Sequence, residues 1–85
     1  MNNENQDTEY KRIWKDEYLK RIRGFANAHG GKLYIGIGDD MSVIGVSHLH
    51  QQLEDIPNKI VTILGIVPVV SHIEQDGKDI IEIDI

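Results

Sequence analysis

Eighty-five residues, 40% of them hydrophobic, make at most one compact domain, because a chain this short buries only around 60 to 65% of its unfolded surface. Without cysteine the chain has neither disulfides nor a cysteine zinc site, which fits a reducing compartment, and a polar N-terminus with no apolar run near the roughly 20 residues of a membrane span predicts a cytoplasmic location with no membrane partner. The net charge of −5 disfavours phosphate binding, yet Lys11, Arg12, Lys15, Lys20, Arg21 and Arg23 crowd one short stretch while the acids concentrate after residue 38, so the charge reads either as a polarised surface or as the solvated face of one helix.

Residues 1–7 are expected to form a disordered leader, since MNNENQD has no apolar residue beyond the initiator to offset its ordering entropy; residues 8–85 form the domain. Residues 8–14 read as a strand with Glu9, Lys11 and Ile13 on one face and Tyr10, Arg12 and Trp14 on the other. Between residues 16 and 29, Tyr18, Leu19, Ile22, Phe25, Ala26 and His29 recur at three- and four-residue steps, the period of a helix with one buried stripe. Asp16 and Glu17 suit its positive end, and Gly30 and Gly31 stop it. Leu33, Ile35 and Ile37, the turn-rich Gly38-Asp39-Asp40-Met41-Ser42 and the run 43–46 predict a hairpin.

Leu49, Leu53, Ile56, Ile60 and Ile63 predict a second amphipathic helix, interrupted by Pro57, with Asp55 as N-cap of a fresh segment and the more regular part after it. Residues 68–74 and 78–85 are strands joined through Asp76-Gly77, a strong hairpin signal. The predicted class is α/β (α+β): a small mixed sheet of about five strands with two helices, in the order strand, helix, hairpin, helix, hairpin. The last strand stops while still alternating apolar and acidic residues. We therefore expect a chain cut from a longer protein, with an exposed sheet edge there that favours a homodimer.

Gly36-Ile37-Gly38 is not a phosphate-binding fingerprint, because a hairpin rather than a helix is predicted to follow. His48-Leu49-His50 lacks further ligands to complete a zinc set. His48 is expected to begin a helix, His29 to end one, and His72 to face solvent, so no metal or cofactor is expected. Of the aromatics, Trp14 is expected near the core. Tyr34, pointing away from Leu33 and Ile35, is the candidate for stacking on a base.

The blocks Glu9-Tyr10-Lys11, then Phe25 through Ile37 (FANAHGGKLYIGI), then Val43-Ile44-Gly45-Val46, then LEDIPNKI from Leu53 to Ile60, together resemble the Schlafen AlbA-like family over residues 4–85. The resemblance implies an α/β fold at the N-terminal end of bacterial transcriptional regulators, where it serves as a DNA-binding domain. In animal relatives it implies cleavage of structured RNA at a metal site of acidic residues, a spacing matched here by Glu4, Glu9 and Lys11, with only Asp39 or Asp40 able to serve as the further acid after the central strand. Where the family commonly reads Ile-Gly-Val-Asp-Asp, this chain has Ile35-Gly36-Ile37-Gly38-Asp39, so Gly38 replaces the first acid. The reading is a non-catalytic, nucleic-acid-binding domain of a bacterial regulator, with DNA as partner and Lys11, Arg12, Lys15, Lys20, Arg21, Arg23 and Tyr34 as the contact residues. The alternatives are a metal-dependent endoribonuclease using Glu4, Glu9, Lys11 and Asp39 or Asp40, which alone would need a divalent metal, and a dimerisation scaffold.

Overall fold

The structure, a computed structural model, describes residues 7–85. Strand β1 (Thr8–Lys11) leads through an irregular segment and a 3-10 turn (Asp16–Tyr18) into helix α1 (Leu19–Ala26). Strand β2 (Lys32–Ile35) follows, then a long loop, helix α2 (Leu49–Lys59) running on into a π-helical turn (Ile60–Leu64), and the hairpin β3 (Val69–Gln75) and β4 (Lys78–Asp84). The sheet order is β1-β2-β4-β3, with β1 parallel to β2 and the other pairs antiparallel. Among the described residues no helix is long and apolar enough to cross a membrane.

The core explains the layering. Leu33, Ile35, Ile81 and Ile83 on one sheet face pack with Leu19 and Ile22 of α1 and with Ile56 and Ile60 of α2 and the turn after it. Both helices therefore cover the same face. Because successive side chains of a strand alternate, Lys32, Tyr34, Glu82 and Asp84 project from the other face, and the parallel register that sets Tyr10 beside Tyr34 puts Thr8 and Tyr10 there too. Glu9 and Lys11 are on the helix side of β1, the strand at one edge of the sheet.

The α+β class and two helices agree with expectation, but the sheet has four strands, not five. The missing strand is residues 43–46. Both edges of β2 are already occupied, by β1 and β4, so a strand returning from the turn finds no free ladder. Instead Gly36, with φ +109°, swings the chain out of β2. Its carbonyl accepts the N–H groups of Ile44 and Gly45 at 2.8 and 2.9 Å, and only Ile37 and Val43 form an isolated bridge. A side chain at residue 36 would meet backbone atoms of Asp79 and Gly45 at 3.3 Å in a left-handed conformation, which only glycine adopts without strain.

Other boundaries differ for local reasons. The first strand stops at Lys11, not residue 14, where β2's partner register runs out. The first helix begins as a 3-10 turn and closes after Ala26, with Gly30 donating to the Phe25 carbonyl at 2.8 Å, so Ala26 and His29 are exposed rather than part of the buried stripe. Asp55 does not cap a new segment: Pro57 is inside α2, and the regular part precedes it. An interior proline costs about 3 kcal/mol, and burial of the Leu49, Leu53, Ile56 and Ile60 stripe outweighs it. The π-helical turn after Lys59 then widens the period, so Leu64 rather than Ile63 reaches the core and Ile63 is left 58% exposed.

The hairpin of β3 and β4 forms as expected, with positive φ at both Asp76 and Gly77. Its last strand, however, is not an exposed edge. β4 is central, flanked by β2 and β3, because its alternating isoleucines, Ile81 and Ile83, are the middle of the core. Among the described residues the two edge strands are β1 and β3.

Candidate nucleic-acid interface

The basic residues gather where edge strand β1 meets the start of α1. A cleft of 410 Å³ is lined by Tyr10, Lys11, Arg12, Ile13, Lys15, Tyr18 and Asp39. An adjoining hollow is lined by Lys11, Glu17, Tyr18, Lys20 and Arg21. Lys11 and Tyr18 border both, with the Lys11 ammonium 5.1 Å from the centre of the Tyr18 ring, a cation–π distance. Five of the six clustered cations are thus brought onto one surface; Arg23, exposed in the last turn of α1, borders neither cleft.

Two of these cations are already engaged. Glu9 receives a hydrogen bond on Oε2 from Arg21 Nε, and its Oε1 is 3.6 Å from Lys11 Nζ. The Arg21 guanidinium also covers the Phe25 ring at 4.5 Å. Glu9 therefore ties β1 to α1 and holds Lys11 and Arg21 side by side, leaving the trio with net positive charge. The start of α1 is fixed from the other side. Asp16 Oδ1 accepts from Trp14 Nε1 and from Lys59 Nζ, each at 2.8 Å, and these bonds, Lys59 first, hold its carboxyl below the usual range. Trp14 packs against the core, edge-on to Tyr18 at 6.0 Å.

The turn after β2 contributes Asp39 to the cleft but uses Asp40 for itself. Asp40 Oδ1 accepts from Ser42 Oγ at 2.6 Å and from the Ser42 N–H at 3.0 Å. Those bonds, with the Arg12 guanidinium nearby, depress its carboxyl.

Tyr34 does not join the basic surface. It rises from the open sheet face with its ring stacked on Tyr10, centroids 5.3 Å apart and planes 16° from parallel. Its hydroxyl donates to Glu82 Oε2 at 2.7 Å, and Lys32 Nζ lies 3.4 Å from the same oxygen. Burial first, and the Glu82 carboxylate second, push the Tyr34 phenol up to about 12. Since this folded value lies above the ordinary 10.0, the native state holds the proton longer, so the contribution of this group to stability is present below pH 10 and is lost as pH rises through about 12. Tyrosinate absorbance followed through an alkaline titration is expected to show one phenol ionising near pH 12, and Glu82→Gln is expected to lower that value while leaving the part due to burial. An unchanged titration in Glu82→Gln would disprove the bond.

Sequence reasoning chose Tyr34 and passed over Tyr10 and Tyr18, the tyrosines that line the cleft. The available signal was adjacency: Tyr10 directly precedes Lys11 and Arg12.

Residues 4–85, nearly the whole chain, match the family model described as Schlafen, AlbA_2. The chain belongs to this family. In fold, this Schlafen AlbA_2 domain is similar to the crystal structure of the DIP2311 protein from Corynebacterium diphtheriae, with a TM-score of 0.77 at 19% identity. The likeness covers 94% of this chain but 20% of that one, so the domain spans about a fifth of the length of the protein it resembles. No curated protein matches the sequence.

For the acidic constellation that the family resemblance implies, the geometry of this Schlafen AlbA_2 domain is specific. Glu4 lies outside the described residues. Glu9 is turned to Arg21 and Lys11. Asp40 is bound within its own turn, and Asp39 borders the cleft. At Gly38 an added Cβ would come within 2.9 Å of Ile44 Cδ1, 3.0 Å of Ser42 Oγ and 3.1 Å of Asp40 Oδ1. An acid at that position would have to push aside the ends of the Ile44 and Ser42 side chains in the turn that bonds Asp40 to Ser42. Among the described residues, no three His, Asp or Glu side chains converge as a metal site.

Proposed function

We propose that this domain is a nucleic-acid-binding module of a bacterial transcriptional regulator, holding its partner through phosphates without cutting it. The observation that carries this reading is the pair of adjoining clefts at the β1 edge, bordered by Lys11, Arg12, Lys15, Lys20 and Arg21. In a chain of net charge −5, five cations on one surface outnumber the carboxylates of Glu9, Glu17 and Asp39 beside them, and the balance is of the sign a phosphate backbone requires. Glu9 assists by fixing two of the cations rather than by reacting.

Each phosphate engaged releases counterions, so log affinity falls linearly with log salt, by about 0.9 per phosphate on duplex DNA and about 0.7 on single strands. Fluorescence anisotropy with labelled DNA over a potassium chloride series is expected to give a slope of several such units. A flat response would remove the basic surface from the reading.

The shared position of Lys11 and Asp39 in one cleft favours metal-dependent RNA cleavage as the second reading. It predicts manganese-dependent cutting of transfer RNA that disappears in Asp39→Ala. Retarded but intact RNA in the same gel supports the binding module.

A further inference from the structure

The sheet edge opposite the basic clefts is β3, and its first half is uncharged. On one side β3 is paired with β4. The two-residue turn Asp76-Gly77 closes on the pair Gln75 and Lys78. A pair next to such a turn exchanges both its backbone bonds, so bonded pairs recur at Ile73, Ser71 and Val69. The backbone N–H and C=O groups of Val70, His72 and Glu74 consequently point away from the sheet, and among the described residues no hydrogen bond reaches those groups. Residues 60–71, which lead into and form the start of this strand, contain no charged side chain, although 27% of the chain is charged. Within them Val61, Ile63, Val67 and Val69 are 45, 58, 83 and 63% exposed. The other edge differs: β1 carries Glu9 and Lys11, with Arg12 directly after it, and charge on an edge strand discourages pairing with another chain.

We propose that β3 is a self-association surface, at which two copies of this domain pair their β3 strands antiparallel about a twofold axis and join two four-stranded sheets into one. Charge and pattern select a second copy as the occupant. Each copy has net charge −5, so two copies repel wherever carboxylates face one another and meet readily only across a surface without them. Residues 60–71 are such a surface. A basic partner would find no carboxylate to pair with there, and a phosphate no cation. The strand is also its own complement. A twofold through Ser71 sets the outward backbone groups of Val70 against those of His72 in the other copy, and on the open sheet face it sets Val69 against Ile73, an apolar cross-strand pair. Glu74 then falls opposite Pro68, so the two Glu74 carboxylates are kept apart. The β1 clefts are left at the two far ends of the joined sheet.

Sedimentation velocity of the intact chain from low-micromolar to sub-millimolar concentration is expected to show monomer passing into dimer. Added potassium chloride is expected not to weaken the dimer, because salt screens the repulsion between like-charged copies. Val69→Lys places an ammonium on the edge and is expected to weaken dimerisation by about tenfold or more. His72→Pro removes an outward N–H and is expected to do the same. Met41→Lys, at an exposed apolar residue in the loop after β2, is expected to leave dimerisation unchanged. Circular dichroism establishes that each variant is folded. The chain has no cysteine, so Ser71→Cys gives one thiol per copy. In a non-hydrogen-bonded pair at the twofold the Cα atoms are about 4.5 Å apart, within disulfide reach. Under mild oxidation Ser71→Cys is expected to form a covalent dimer far faster than Met41→Cys, which keeps the test decisive should an edge variant unfold. A chain that is monomeric at every concentration, a dimer that persists in both folded edge variants, or equal cross-linking at the two cysteines would overturn the pairing. No nucleic acid enters these measurements, so the reading of the β1 clefts stands or falls separately.

Discussion

Replacing Phe25 by alanine is expected to cost about 3 to 5 kcal/mol of folding stability. Phe25 is 2% exposed and stands at the C-terminal end of α1, where the chain turns toward β2. The fit there is close: a Cβ on Gly31 would fall 2.5 to 2.8 Å from three atoms of the Phe25 ring. The glycine is therefore what lets the ring lie against the backbone, and the ring is what fills the space a side chain would otherwise take. Small domains carry roughly 0.05 to 0.15 kcal/mol of stability per residue. On that scale the whole domain holds on the order of 4 to 13 kcal/mol, and loss of Phe25 removes roughly a quarter of it or more. Urea denaturation is the measurement. The midpoint is expected to fall steeply with an unchanged slope, which marks lost stability rather than a changed unfolded state. A shift worth less than about 1 kcal/mol would show that the turn collapses onto the vacancy and that Phe25 is not the plug it resembles. The same variant also bears on the interface, because the Arg21 guanidinium rests on this ring while bonding Glu9.

The second large effect is on binding. With Lys11, Arg12 and Lys15 all changed to alanine, nucleic-acid affinity near physiological salt is expected to fall on the order of a hundredfold, and the salt slope by up to about three contacts' worth. Counterion release sets the size of this loss. At about 0.15 M salt each phosphate contact is worth a factor of roughly four to five, and three independent contacts multiply. Folding stability is expected to change little, since Arg12 and Lys15 are exposed and Lys11 leaves Glu9 still bonded to Arg21. Loss of affinity without loss of salt slope would mean that the three cations position the β1 edge rather than meet phosphates. An unchanged affinity would move the interface away from this cleft altogether.

The contrast between Tyr10 and Tyr34 shows how far local pattern carried the functional reading. Strand alternation correctly separated Tyr34 from Leu33 and Ile35, which is a property of the strand alone. It did not reveal that Tyr10, on the neighbouring strand, would both stack on Tyr34 and be among the residues that line the cleft. That fact depends on which strand pairs with β2 and in what register. The cation cluster behaved similarly. Its density in sequence was plain, and five of its six members do share a surface, but the ion pair that turns Glu9 toward Arg21 joins residues 9 and 21 across a change of element. No periodicity expresses it.

By itself the sequence determined whatever depends on a window of neighbouring residues. It set the apolar stripe of α1 through Leu19, Ile22 and Phe25, the alternating runs of β2, β3 and β4, the Asp76-Gly77 turn, the two-helix α+β class and the family blocks. Helical and extended periods are local, and side chains three, four or two positions apart announce them before any tertiary contact forms. The tertiary structure alone decided that β4 is central and β3 an edge, that residues 43–46 find no ladder, that Pro57 is carried inside α2, and that the cations meet Tyr10 rather than Tyr34. Each of these is a competition for a partner. A strand edge accepts one neighbour, and a helix tolerates a proline when its buried stripe outweighs the lost bond. A side chain lines whichever cleft the pairing register places beside it. Such choices are settled by segments far apart in the chain, so they exist only once those segments have met.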